Sequence, residues 1–149
     1  QGTIEDASLK TAQKYIDLIG LSGFEQAYPH ELSEGMKQKV AIARALAPNP
    51  AVLLMDEPFA SLDAQTRNLM QDEFIRMWGQ EKKTVIFVTH NVDEAVYLAD
   101  RVVVLTARPG SVKDVLEIKL KRPRKRTSQP FVKTREGILK LLEEEIVTR

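Results

Sequence analysis

Apolar residues recur along this chain with two periods, and each change of period marks a new element. Leu9, Ala12, Tyr15, Ile16 and Ile19 keep helical spacing. They predict a helix over residues 4–21, with Asp6 or Ser8 as its cap and Gly20 as its stop. Residues 21–30 are short and irregular, and Pro29 disfavours helix just before it. Val40, Ala41, Ala43, Ala45 and Leu46 predict a second helix that starts near Ser33 and ends at Pro48 and Pro50. A third is expected over residues 64–78, with Leu69, Phe74, Ile75 and Trp78 as buried positions and Gly79 as the stop. A shorter one, capped by Asn91 or Asp93, runs to Ala99. The last covers residues 131–147, with Ile138, Leu139, Leu141, Leu142 and Ile146 on its apolar side.

Between these helices the pattern becomes continuous rather than periodic. VLLM at 52–55, TVIFVT at 84–89 and RVVVL at 101–105 are the runs expected of strands buried on both faces. A looser alternation over 112–120 predicts a fourth, more exposed strand. The order strand, helix, strand, helix, strand from 52 to 105 implies a parallel sheet with right-handed crossovers. The chain has no internal repeat and no low-complexity tract.

Composition narrows the class. With 149 residues, 43% hydrophobic and 29% charged, the chain can bury a core as one domain or two small lobes. No apolar run approaches the length that spans a bilayer, and no secretory leader is expected at the start. Cysteine is absent, which excludes disulfides and thiolate metal sites. The formal charge of +1 nominates no partner. One local asymmetry remains: KLKRPRKRTSQPFVKTR, residues 119–135, has eight basic residues and no acidic one. Such a run can touch phosphate of nucleic acid or lipid, or form a solvated, Pro-punctuated linker. Few aromatics interleave the charges, so a base-stacking platform is poorly supported.

The candidate chemistry follows the strands. Asp56 and Glu57 end the first one, where parallel sheets bind ligands, and Pro58 comes next. One carboxylate there suits Mg²⁺ through its water shell, and its neighbour can orient or deprotonate a water. Acidic residues also end strands and cap helices with no further role. His90 directly follows the next strand, a position that structural histidines also occupy. If the two strands are neighbours, all three side chains open into one crevice, as a phosphoryl-transfer site requires.

Four motifs then fall in one order: LSEGM at 32–36, LLMDEP at 53–58, SLD at 61–63 and TH at 89–90. This resembles the ATP-binding subunit of an ABC transporter, with signature, Walker B strand, D-loop and switch histidine. The contexts YPHELSEGMKQKVAIARAL and LTARPGSV are similar to the nitrate, sulfonate and taurine importer branch. The resemblance implies a P-loop NTPase-like α/β fold, a parallel sheet with flanking helices. Residues 1–47 would be part of the helical subdomain, 48–120 the C-terminal part of the RecA-like core, and 121–149 the basic linker and terminal helix. It also implies ATP and Mg²⁺ as cofactors. Ser33, Gly35 and Met36 would face the nucleotide held by a second ATPase subunit. Asp56 would hold Mg²⁺ through water, Glu57 would polarise the attacking water, and His90 would contact the γ-phosphate. Asp63 would lie at the dimer seam. A transmembrane permease would be the other partner, which implies a place at the inner face of the cell membrane.

Two departures qualify these expectations. Glu34 stands where the family more commonly has glycine, so its carboxylate is expected to point away or to serve the first helical turn. No G-x-x-x-x-G-K-[ST] sequence occurs, and the upstream glutamine loop and adenine-stacking aromatic are absent too. The chain is therefore expected to be the C-terminal part of such an ATPase, with little activity alone. An interaction fragment that pairs with a complete ATPase is the alternative. A DNA-repair or translation ATPase rests only on the basic run, and no nucleic acid is expected.

Overall fold

Helix α1, Gly2–Leu18, starts earlier than its candidate caps, and Asp6 pairs with Lys10 one turn on instead of capping. In this computed structural model residues 2–147 are described, with side chains from 6 to 144. Gly20 closes the helix at φ +67°, a conformation glycine adopts without a Cβ penalty, and the Leu21 amide bonds back to the Ile16 carbonyl. Tyr15, Ile19 and Leu21 are buried, whereas Leu9 is exposed.

A 3₁₀ turn, Pro29–Glu31, leads to helix α2, Glu34–Leu46, which buries Ile42, Ala43 and Leu46. Strand β1, Val52–Asp56, follows, then helix α3, Ala64–Glu81, and strand β2, Thr84–Val88. β1 and β2 pair in parallel, with Leu54 opposite Ile86 and Asp56 opposite Val88. The expectation of a strand buried on both faces is corrected here. Leu53 and Met55 are buried, but Val52, Leu54, Ile86 and Val88 are exposed, Leu54 by 72%. The covered face packs on the helical side of the unit, and the opposite face carries these four aliphatic side chains in the open.

Helix α3 also departs from expectation, because it passes through Gly79 and ends at Glu81. Its last turn is fixed from outside: Glu81 accepts from Lys14 at 2.8 Å and from the Tyr15 hydroxyl at 3.5 Å. The Trp78 indole N–H donates to the Lys83 carbonyl at 2.7 Å, and Lys82 takes the left-handed cap. Phe74 is buried as expected, but Leu69 is exposed, and Met70 and Met77 join Phe74 in the core.

The second group of elements is helix α4, Val92–Leu98, strands β3, Arg101–Leu105, and β4, Val112–Glu117, and helix α5, Gln129–Val147. β3 pairs antiparallel with β4, so the third strand does not extend a parallel sheet. The reason is local. Residues 106–111 turn back at once, with the Thr106 hydroxyl accepting the Ser111 amide at 2.9 Å, and a hairpin needs no crossover helix. Val96, Tyr97, Leu98, Val104, Ile118, Phe131 and Ile138 are buried. The side chain of Ile146 lies outside the described residues.

The chain divides into two compact units, Gln1–Val88 and Thr89–Arg149. Lys39 of α2 pairs with Glu73 of α3 at 2.7 Å, which ties α2 to the strand–helix segment after it. The basic run is tied too. Arg124 is buried against backbone carbonyls and Arg122 bonds Asp100, so these two cations are structural rather than part of a solvated linker.

Candidate functional site

The first strand delivers its acidic pair through an unusual backbone. Asp56 ends β1, exposed, in register with Val88. Glu57 then turns at φ +47°, a left-handed conformation costing a residue with a Cβ roughly 1 kcal/mol or more. Its amide donates to the Val88 carbonyl at 2.9 Å, so β2 holds the turn in place. The half-buried Glu57 side chain is thereby re-aimed away from the strand's alternation.

Beyond Pro58, the loop to Asp63 is anchored by residues that motif spacing did not single out. Phe59 is fully buried between Phe74, at 6.3 Å edge-on, and Phe87, at 6.3 Å stacked. Arg67, one turn into α3, donates from Nε to the Phe59 carbonyl at 3.2 Å and from Nη2 to the Leu62 carbonyl at 2.7 Å. One guanidinium therefore grips both ends of the turn. A basic residue four positions after a capping aspartate was the only signal available for it.

Asp63 caps α3, accepting from the Gln65 and Thr66 amides at 3.0 and 3.1 Å. The Thr66 hydroxyl first, then the Thr66 and Gln65 amides, hold its carboxyl below the ordinary value of 3.8. A lowered folded pKa adds stability above the ordinary aspartate range, and that stability fades as pH falls through the folded value. Denaturant midpoints measured from pH 6 to 3 should thus fall less steeply in Asp63→Asn, which keeps a cap but loses the titration. Parallel profiles for the two proteins would refute this.

Ser33 caps α2 by accepting the Met36 amide at 3.3 Å, as its position in the sequence predicts. Glu34 lies in the first turn, exposed, and pairs with Lys37 at 2.7 Å. At Gly35 an added Cβ would stand 3.4 Å from Cγ2 of Thr66. That is ordinary contact distance, so Gly35 lies beside the first turn of α3, and Ser33, Gly35, Met36 and Asp63 belong to one neighbourhood within the first unit. Asp56 and Glu57 belong to that unit as well, and His90 belongs to the second. His90 is exposed and stands between Thr89, whose hydroxyl accepts the Asn91 amide at 3.0 Å, and Asn91, which caps α4 by accepting the Glu94 amide at 3.1 Å.

Among the described residues no three histidine, aspartate or glutamate side chains gather to hold a metal by themselves. An adjacent pair of carboxylates does fit Mg²⁺, which keeps several waters and takes its remaining ligands from phosphates.

The family model described as ABC transporter matches residues 3–60. An uncharacterized ABC transporter ATP-binding protein of Methanocaldococcus jannaschii is 57% identical over 147 residues, covering 99% of this chain and 55% of the relative. The aliphatic sulfonates import ATP-binding protein SsuB of Bacillus thuringiensis subsp. konkukian is 46% identical over 142 residues, 95% of this chain and 57% of the relative. Among solved structures, cbiO1 from Clostridium perfringens, part of the ABC transporter complex cbiONQ, superposes with a TM-score of 0.69 at 26% identity. That match covers 97% of this chain and 54% of the other. The fold is thus part of an ABC ATPase domain. Over nearly its whole length the chain is similar to ABC transporter ATP-binding proteins, and it spans about half the length of the curated relatives it matches.

Proposed function

We propose that this chain supplies the signature, Walker B, D-loop and switch-histidine elements of the ATP-hydrolysing subunit of an ABC-type importer. The observation that carries the reading is the end of β1, where β2 pins Glu57 at positive φ directly after Asp56. Similarity to a sulfonate importer's ATP-binding protein supports the transport assignment. In this reading Asp56 holds the water shell of Mg²⁺, and Glu57 polarises the attacking water. The metal, when bound with ATP, neutralises phosphate charge. Ser33, Gly35 and Met36 address the nucleotide of a second ATPase subunit, with the N-terminal end of α2 favouring anionic oxygens. Asp63 serves the seam between the subunits, and His90 meets the γ-phosphate. The partners are that second subunit and a transmembrane permease, which would hold the protein peripherally at the inner face of the membrane. No helix among the described residues is long and apolar enough to cross a membrane.

The absence of a G-x-x-x-x-G-K-[ST] sequence makes the chain by itself inactive in this reading. Calorimetry with ATP·Mg on the chain alone, then mixed with a separately produced segment bearing that loop from a relative, tests it. Binding only in the mixture is the expected result. Tight binding by the chain alone would overturn the assigned roles. A second reading, a non-catalytic fragment that pairs with a complete ATPase, is favoured by the exposed stripe of Val52, Leu54, Ile86 and Val88. It predicts complex formation with an intact relative and no added hydrolysis.

A further inference from the structure

His90 is held by a helix too short to hold itself. α4 has only the span Val92–Leu98, well below the roughly 12 residues at which isolated helices become even marginal in water. The Thr89 and Asn91 side chains lock the backbone on either side of His90 to the first turn of α4. Wherever α4 sits, His90 follows.

The C-terminal basic segment grips this helix from both ends. At its C-terminal end, Arg124 Nη1 donates to the carbonyls of Val96 at 2.8 Å, Tyr97 at 3.1 Å and Ala99 at 2.6 Å. The same guanidinium reaches the Leu120 carbonyl through Nε at 3.0 Å and the Ile118 carbonyl through Nη2 at 3.4 Å, joining α4 to the chain beyond β4. Its side chain is 1% exposed. Arg122 bonds the Leu98 carbonyl and the Asp100 carboxylate, and the Arg126 guanidinium lies 3.4 Å over the Tyr97 ring. Cations are well placed here, since the last turn presents unpaired carbonyls and the negative end of the helix dipole. At the other end, Arg135 of α5 pairs with Asp93, in the first turn of α4, at 3.5 Å. α5 also packs along α4.

We propose that Arg122, Arg124 and Arg135 are positioning residues for His90, so that the C-terminal basic segment is a clamp on the helix carrying the switch histidine. The inference rests on the reading of His90 given above, and it says how that residue is held. Arg124 is the keystone, because its planar fork serves carbonyls on two sides at once. A lysine has one charged point and cannot do so. Arg135 contributes one ion pair, which lysine can replace.

The chain has two histidines, and His30, in the other unit, stacks on Tyr28 at 5.7 Å and serves as an internal control. The test is NMR of both imidazoles, together with amide exchange at residues 91–95, in the 149-residue chain. Arg124→Lys should shift the His90 imidazole and amide signals and speed exchange across 91–95 tenfold or more, leaving His30 in place. Arg135→Gln should do the same to a smaller degree, and Arg135→Lys should restore the wild-type signals. Should Arg124→Lys fail to fold, Arg122→Lys and the Arg135 pair carry the test. Unmoved His90 signals in folded variants, or equal movement at His30, would overturn the clamp. This readout involves no nucleotide, so a failure here leaves the ATPase reading standing, and a failure to bind ATP leaves the clamp standing.

Discussion

Replacing Phe59 by alanine should cost about 3–5 kcal/mol, the range for emptying a fully buried phenylalanine site. Phe59 has no exposed surface and stands against Phe74 and Phe87, which themselves meet edge-on at 5.1 Å. The three rings come from the loop after β1, from α3 and from β2, so no single element can shift to close the void. Aromatic pairs add about 0.5–1.5 kcal/mol beyond area burial, and two of them involve Phe59. Against a typical domain stability of about 5–15 kcal/mol the loss is large. Trp78, the chain's one tryptophan, lies on α3 and reports unfolding of this unit by fluorescence. Phe59→Leu should lose roughly half as much. A Phe59→Ala midpoint close to wild type would mean that the ring cluster does not anchor the loop from Glu57 to Asp63.

The second large effect concerns chemistry. Once the chain is complemented with a phosphate-loop segment, Glu57→Gln should lower ATP hydrolysis by about 10²–10⁴-fold, the usual contribution of a positioned general base. Nucleotide binding should stay within a few-fold, because glutamine preserves size and the Glu57 amide keeps its bond to the Val88 carbonyl. Hydrolysis within threefold of wild type would remove Glu57 from its role. Glu57→Gly separates strain from reactivity. It should be equally inactive yet more stable by roughly 1 kcal/mol, since φ +47° suits glycine and penalises any other side chain. A destabilised glycine variant would show that the carboxylate, rather than the turn, is what the fold holds.

Much of this was readable in advance where local chemistry decides. Ser33 and Asn91 cap their helices because short polar side chains satisfy free amides, whatever lies around them. The apolar run at 52–55 and the β-branched run at 84–88 pair as neighbours because little else accommodates them. The failures share a different cause. Gly79 looked like a stop, but Lys14 and Tyr15 reach the end of α3 from α1, and the Lys83 carbonyl just beyond it holds Trp78, so the helix runs past the glycine. Valines 102–104 suit a parallel or an antiparallel partner equally, and only the turn at 106–111 chose between them. Nothing in the order of residues distinguishes Arg124, which faces carbonyls, from Lys125, which faces solvent. The positive φ of Glu57 is likewise a property of its bond to β2, not of the residue.

The two strand pairings also differ in when they can form. β3 and β4 are joined by residues 106–111 alone, so their ladder closes over a short loop and can assemble early in folding. β1 and β2 are separated by the whole of α3, and their parallel ladder must wait until that helix has folded across. Until then Leu53 and Met55 have no cover, and Asp56 and Glu57 stand at the end of a strand without a neighbour. The acidic pair is therefore expected to acquire its geometry later than the hairpin, and conditions that slow folding should delay it more.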